Sequence, residues 1–257
     1  MQDFYERFYS VVQQSPAHHA FCERVYGLDL SQHGFADLEQ LDLLLRVIPI
    51  EPGKQVLDLG CGNGRISEYL SDRSGAQFTG LDYIPNAIRL AQERTALKSS
   101  RLAFIPGDIN RLELPRAAFD VILSIDSIYF SQDYAATLAG LKAALRPAGQ
   151  MGFFYSYGRE PWVPVDEFPR EKLPPDKTPL ADALQANNLA FHTYDLTRQD
   201  YALALKRKAV LLEMQPQFEA EGIQFIYENR LGDAMGVAQA IEAGLHARYF
   251  YHVCLPG

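Results

Sequence analysis

The sequence predicts an α/β fold, a mostly parallel sheet covered by helices on both faces, and three observations predict it. Apolar strand-like runs alternate with helical stripes through the middle of the chain. The first of these strands ends in a glycine-rich turn, VLDLGCGNGR at 56–65, that leads straight into a helical pattern. With 257 residues, 47% of them hydrophobic, the chain can bury one sizeable core without a second domain.

The elements follow in order. In DLEQLDLLLRVI, at 37–48, the leucines share a helical stripe, with Asp37 available as N-cap and Gln40 three residues on. This helix should pack on the sheet ahead of the first strand. The strand QFTGLD at 77–82 ends in an acid, and a helix begins after Tyr83, where Pro85 suits a first turn and Ile84, Ala87, Ile88 and Ala91 recur on one face. Strand patterns recur in LAFIPGDI (102–109) and FDVILSID (119–126). Leu138, Leu141 and Leu145 mark a helix stopped by Pro147 and Gly149, and a fifth strand lies near 151–155. Regular structure is hard to sustain between Pro161 and Pro179, where Pro164, Pro169, Pro174 and Pro175 also fall, and the segment reads as a lid forming part of a substrate gate. Helical stretches near 199–221 and 233–245 precede RYFYHV (248–253), a closing strand antiparallel to its neighbour. One domain, 1–257, thus divides into an N-terminal helical cap (1–36), a binding core (37–157) and a lid with substrate-side helices and closing strand (158–257).

Ligand in such a fold binds beyond the carboxyl ends of the strands. Gly60, Gly62 and Gly64 lack a Cβ, so backbone can approach a small molecule there while the free N–H groups of the following helix face the same crevice. A dinucleotide fingerprint needs a further glycine where the helix begins to pack and nothing acidic ahead to repel the pyrophosphate. This chain has Asn63-Gly64-Arg65 there, and Asp58 precedes the turn. An acid at that point suits a cationic amino-acid tail and opposes a dehydrogenase reading.

VLDLGCGNG resembles motif I of class I S-adenosylmethionine-dependent methyltransferases, and the three later strand motifs follow in the order of that family. The resemblance implies a Rossmann-like seven-stranded sheet whose last strand is antiparallel, and S-adenosyl-L-methionine as cofactor, released as S-adenosyl-L-homocysteine. It implies that Asp58 faces the ammonium, that Asp82 accepts both ribose hydroxyls, and that Tyr83 and Ile84 flank the adenine. Asp108 then takes the adenine amino group, Ile109 offers its N–H to the ring, and Gly60, Cys61, Gly62 and Ser124 complete the cofactor shell. Cys61 reads as a small buried hydrophobe rather than a nucleophile.

The segment AFCERVYGLDLSQHG (20–34) and the C-terminal elements resemble phosphoethanolamine-type small-molecule methyltransferases more closely. That likeness implies methionine contacts from Gln32 and His33, and a substrate pocket that includes His18, Tyr129 and Tyr157. Departures from that group speak against phosphoethanolamine itself as acceptor: Gln14 and Tyr129-Phe130 stand where it pairs a tyrosine with a histidine, and SID (124–126) lacks its phosphate-binding arginine. His33 is the group placed to manage an acceptor proton near neutrality, or it serves a structural hydrogen bond instead. Adjacent His18 and His19 point to different helix faces. An aromatic rim of Tyr5, Tyr9, Tyr129, Phe130, Tyr155, Tyr157 and Trp162, with an acid such as Asp126, suits a cationic amine or a flat apolar acceptor.

The expected activity is methyl transfer to nitrogen or oxygen of a small molecule by in-line displacement, with C-methylation or a non-catalytic cofactor-binding regulator as alternatives. The formal charge of −8 and pI near 5.3 make DNA and RNA poor partners. Arg198, Lys206, Arg207 and Lys208 read as a solvated helix face. Cys22, Cys61 and Cys254 have neither disulfide nor zinc spacing, so no metal is expected. No leader and no apolar run of about 18 residues is apparent, so the chain reads as a cytoplasmic monomer or homodimer.

Overall fold

The computed structural model describes residues 2–160 and 162–255, so Pro161 of the proline-rich segment lies outside the described residues. Two cap helices, α1 (Gln2–Val12) and α2 (Pro16–Tyr26), come first; Pro16 opens α2, Ser15 accepts from the His18 N–H and left-handed Gly27 ends it. Helix α3 (Leu38–Val47) is capped by Asp37, which accepts from the Gln40 N–H at 2.9 Å. The Gln40 side chain does not reach back to complete a capping box; it is buried against Arg248 and Asp200 instead.

The core alternates β1 (Gln55–Leu59), α4 (Arg65–Ser74), β2 (Gln77–Asp82), α5 (Pro85–Arg94), β3 (Leu102–Pro106), β4 (Phe119–Ile125), α6 (Tyr134–Ala144) and β5 (Leu145–Gly158). It continues through α7 (Pro179–Ala186), β6 (Phe191–Asp195), α8 (Thr197–Ala220), α9 (Gln224–Glu242) and β7 (His246–Cys254). The seven strands lie in the order β3-β2-β1-β4-β5-β7-β6, and only β7 runs antiparallel to its neighbours. The order reverses between β1 and β4, which opens a crevice at their carboxyl ends. One face of the sheet packs on α6 and α7 through Leu138, Leu141, Phe153, Tyr155, Leu180 and Leu184, and the other on α3, α4 and α5 through Leu41, Leu44, Leu70, Phe78 and Ile88. A third cluster, with Phe8, Phe21, Val25, Leu211, Phe218 and Ile226, joins α1, α2, α8 and α9.

Several expectations need correction. Strand β5 is longer at both ends than 151–155, and α9 begins nine residues before 233, because Gly232 and Gly236 mask its period. Strand β6 is a half-exposed edge strand, so it carries little apolar signal. The proline-rich segment does not cover the crevice. The Tyr249 hydroxyl donates to the Leu173 carbonyl at 2.8 Å, that of Tyr251 to the Pro175 carbonyl at 2.7 Å, and Phe168 packs beside Tyr157. These contacts pin the segment to the face of β5 and β7 that carries α7, and α1 with residues 30–36 closes the crevice instead. Arg207 is no part of a solvated helix face, because α9 and residue 35 bury it completely.

Candidate active site

The glycine turn after β1 folds as a local consequence of backbone geometry. Gly60 (φ 75°) and Gly62 (φ 56°) occupy the left-handed region, where a Cβ at Gly60 would strike the Ser127 side chain and one at Gly62 the Tyr9 hydroxyl. The N–H groups of Gly60 and Cys61 both donate to the Leu81 carbonyl, at 2.7 and 3.1 Å, which fastens the turn to the end of β2. There the Asp82 carboxylate accepts from the Gly62 N–H at 2.8 Å with one oxygen and from the Ile84 N–H at 2.9 Å with the other. Each oxygen keeps a lone pair free. Burial raises the Asp82 pKa, against the backbone donors of Ile84, Gly62 and Tyr83 that lower it.

A cavity of about 370 Å³ opens beside this turn, and Gln32, His33, Gly60, Cys61, Gly62, Asp82, Tyr83, Asp108 and Ile109 line it. Asp108 spends one oxygen on the Asn110 backbone and side-chain amides, at 2.9 and 3.1 Å. Tyr83 is half exposed at the rim. Burial pushes the Cys61 thiol well above its usual pKa, with Asp58 and Asp82 adding to the rise, so it stays protonated. Gln32 is buried and accepts from the Leu30 N–H at 3.0 Å. The His33 ring lies edge-on to Phe4, Tyr5 and Phe8, with centroids 5.0–5.7 Å away, and its Nε2 has neither solvent nor a hydrogen-bond partner. Desolvation, then Arg230 and Arg207, hold the His33 pKa well below the usual histidine value, so the imidazole is neutral.

The remaining expected site residues lie outside this lining. Asp58 is buried and accepts from the Ser67 hydroxyl of α4 at 2.5 Å; burial pushes its carboxyl up to about 6. Ser124 is fully buried and bonds Ser127 Oγ at 2.6 Å. His18 faces the helical layer, where its Nε2 accepts from Arg230 at 3.1 Å. Tyr129 lies on a short 3-10 turn with part of its ring exposed, while burial, then the nearby Asp126 and Tyr5, raises the pKa of its hydroxyl; Phe130, the last residue of that turn, does line the cavity. Tyr157 belongs to the β5 row that faces α7 and the proline-rich segment. Of the expected aromatic rim, Tyr5, Tyr9 and Phe130 border the cavity, whereas Tyr155 is core and Trp162 is exposed.

Asp126 reaches the cavity wall, but its charge is already taken. Both of its oxygens bind the buried guanidinium of Arg248, and one also accepts from Phe35 N–H and Ala36 N–H at 2.9 and 3.2 Å. Arg248 further meets Asp200 at 3.1 Å and Gln40 Oε1 at 3.1–3.2 Å. Arg230 donates from its two Nη groups to the carbonyls of His33 and Gln32. Residues 31–36 are thus fixed by arginines from α9 and β7, remote in sequence, and no local pattern announces them. His18, Cys22 and Asp29 bring possible metal-ligand atoms within 4.8 Å of one another. The Cys22 sulfur, however, is 3.8 Å from both ring nitrogens, over the ring face and off the in-plane lone pairs, and Arg230 already takes Nε2.

Residues 50–215 match a family model described as a methyltransferase domain. Phosphoethanolamine N-methyltransferase 1 of Arabidopsis thaliana is 31% identical over 164 residues, which are 64% of this chain and 33% of that protein; the chain therefore spans about a third of the length of the curated relatives it matches first. Among solved structures, phosphoethanolamine N-methyltransferase 2 of Haemonchus contortus superposes with a TM-score of 0.77 at 18% identity, covering 98% of this chain and 60% of that one. A cyclopropane synthase from Mycobacterium tuberculosis superposes with a TM-score of 0.71 at 17% identity, covering 97% and 98%. Both superpositions speak for the fold, while the family match spans well over half of the chain and includes the glycine turn, Asp82 and Asp108: the chain belongs to the methyltransferase domain family.

Proposed function

We propose that the chain binds S-adenosylmethionine, the cofactor of this family, in the cavity beside the glycine turn and directs its methyl group to a nitrogen or oxygen of a small-molecule acceptor. The observation that carries this reading is Asp82, a carboxylate at the cavity wall with both oxygens pinned by backbone N–H groups and lone pairs left for a vicinal diol. The residues fit the cofactor in other respects. Any Cβ at Gly60 or Gly62 would close the cradle, Asp108 keeps one carboxylate oxygen uncommitted for an amino group, and Tyr83, Ile84 and Ile109 offer apolar surface for a flat base.

When bound, the sulfonium supplies an already electrophilic methyl group, so the chain has to orient the acceptor and exclude water. His33 suits the first task as part of the cavity lining that an acceptor N–H or O–H would meet, its Nε2 itself being buried. It suits removal of that proton poorly, because an imidazolium there would sit beside two guanidinium charges. The rings of Tyr5, Tyr9 and Phe130 serve the second task.

Titration calorimetry with S-adenosylhomocysteine on wild type and Asp82→Ala tests the reading. The variant should bind about 10²-fold weaker, since two charge-assisted hydrogen bonds of about 1.5–3 kcal/mol each are lost and partly replaced by water. No binding by wild type, or equal binding by the variant, overturns it. A metabolite screen with methyl-labelled cofactor then identifies the acceptor, and a carbon-bound label would replace the N/O assignment with C-methylation.

A further inference from the structure

The cavity lining carries three acids, Asp82, Asp108 and Asp126, and among the described residues its only lysine or arginine is Arg65. Two of the acids bear on the proposed ribose and adenine contacts, and Asp126 is bound to Arg248. Arg65 has no such task. Its Nε is buried without a partner, and the carboxylate beside it, Asp29, stops 3.7 Å from Nη1, beyond hydrogen-bond reach. That acid is itself engaged: one oxygen accepts from the Ser31 N–H at 2.9 Å, and the other lies between Arg65 and His19, 3.8 Å from the latter. Glu68, the next acid along α4, is spent on Arg94 and Lys98 at 2.7 and 2.8 Å. The Arg65 side chain is partly exposed (24%) and lines the cavity, so its Nη donors remain available to a ligand there.

Its place along the cavity decides which part of a ligand it meets. The strand order puts Asp108 just beyond β3, Asp82 at the end of β2 and the glycine turn after β1, and Arg65 follows that turn as the first residue of α4. A cofactor whose adenine amino group lies on Asp108 and whose ribose lies on Asp82 therefore carries its amino-acid tail across the turn toward Arg65. From this arrangement we infer that Arg65 receives the carboxylate of that tail and makes the site selective for a cofactor that carries one; the inference rests on the S-adenosylmethionine reading above. A guanidinium and a carboxylate form a charge-assisted contact, and the positive end of the α4 dipole falls at the same residue. Asp29 does not forestall the contact, because its pairing with Arg65 lacks a hydrogen bond and leaves the guanidinium donors unspent.

Calorimetric titration of the full chain with two thioethers tests the inference: S-adenosylhomocysteine, and its decarboxylated counterpart, which keeps the adenosine and the amine and lacks only the carboxylate. Wild type should bind S-adenosylhomocysteine about tenfold or more tighter than the decarboxylated ligand, the worth of one charge-assisted contact. Arg65→Met should weaken S-adenosylhomocysteine about tenfold or more and leave the decarboxylated ligand within about threefold, so that the two affinities converge. Retained binding of the second ligand also reports that the variant is folded. Arg65→Lys, which keeps the charge and loses the fork, should restore part of the difference. Equal affinities for the two ligands in wild type, a loss in Arg65→Met shared equally by both, or no loss at all would overturn the inference and leave the cofactor reading standing. Absence of binding by either ligand to wild type would overturn the cofactor reading, and the inference with it.

Discussion

Replacing Arg248 with methionine removes one charge while keeping most of the side-chain volume, and the consequence follows from what the guanidinium touches. Its Nη groups bind both oxygens of Asp126, its Nε lies 3.1 Å from Asp200, and further bonds run to Gln40 and Ser156 at 3.1–3.2 Å. All of this is buried, so Arg248→Met leaves two carboxylates without their cation. Breaking a buried pair by removing one partner costs about 3–5 kcal/mol. At about 2–4 °C of midpoint per kcal/mol for a chain of this size, the melting temperature should fall by about 6–20 °C. The two carboxylates are not equivalent. Desolvation pushes the Asp200 carboxyl up to about 7 even against Arg248, and its Oδ2 has no partner, so Asp200→Asn should cost about 1 kcal/mol or less. Asp126 also anchors the N–H groups of Phe35 and Ala36, so Asp126→Asn should fall between the two and loosen residues 33–36 of the cavity wall. Thermal and urea unfolding of the three variants at pH 7 measures the order. An Arg248→Met protein melting within about 2 °C of wild type, or an Asp200→Asn protein as damaged as Arg248→Met, would refute this account of the network.

Other outcomes follow from the same contacts. Because the folded Asp200 holds its proton to about pH 7 and an unfolded aspartate only to about 4, the folded state binds more protons between those values; stability should fall as pH rises from about 4 to 7, and Asp200→Asn should flatten that slope in urea titrations. Gly62→Ala forces a Cβ into left-handed backbone and onto the Tyr9 hydroxyl, costing about 1–2 kcal/mol of strain together with cofactor affinity; Gly62→Ala/Tyr9→Phe should recover part of the affinity in calorimetry, and no recovery would deny the contact. His33→Ala should reduce turnover about tenfold or more while S-adenosylhomocysteine affinity changes within a few fold. The wild-type rate should show no histidine titration near pH 6.5, because the His33 pKa is displaced well below it; a clear inflection there would restore a proton-transfer role.

What could be read from the sequence was local. The glycine turn, the strand ending at Asp82, the Asp37 cap and the helix opened by Pro85 each depend on a few adjacent residues, and each appears where its pattern put it. Some misreadings used local information incompletely. In β5 the period of two puts Phe153, Tyr155 and Tyr157 on one face, and with the first two in the core Tyr157 had to follow them away from the cavity. Asp58 is of another kind. Its position before the turn suggests a ligand contact, but the chain curls so that Ser67, on the first turns of α4, reaches back and takes the carboxylate.

The buried charges were illegible for a third reason, which bears on how the site divides its work. Arg207 lies within a run of basic residues on α8, and a helix turns about 100° per residue, so sequence alone does not say which member of that run the neighbouring helix will cover. Arg230 meets the carbonyls of residues 32 and 33, and Arg248 meets residue 126, across separations that no motif spans. The elements that could be read, the turn after β1 and the ends of β2 and β3, supply the proposed cofactor contacts. Those that could not be read, α8, α9 and β7, brace the wall that faces the acceptor. Substitutions in the turn should therefore act chiefly on cofactor affinity and those at Arg230 or Arg248 on the placement of residues 32–36, because the turn lines the cavity itself whereas the two buried arginines reach it only through the backbone they hold.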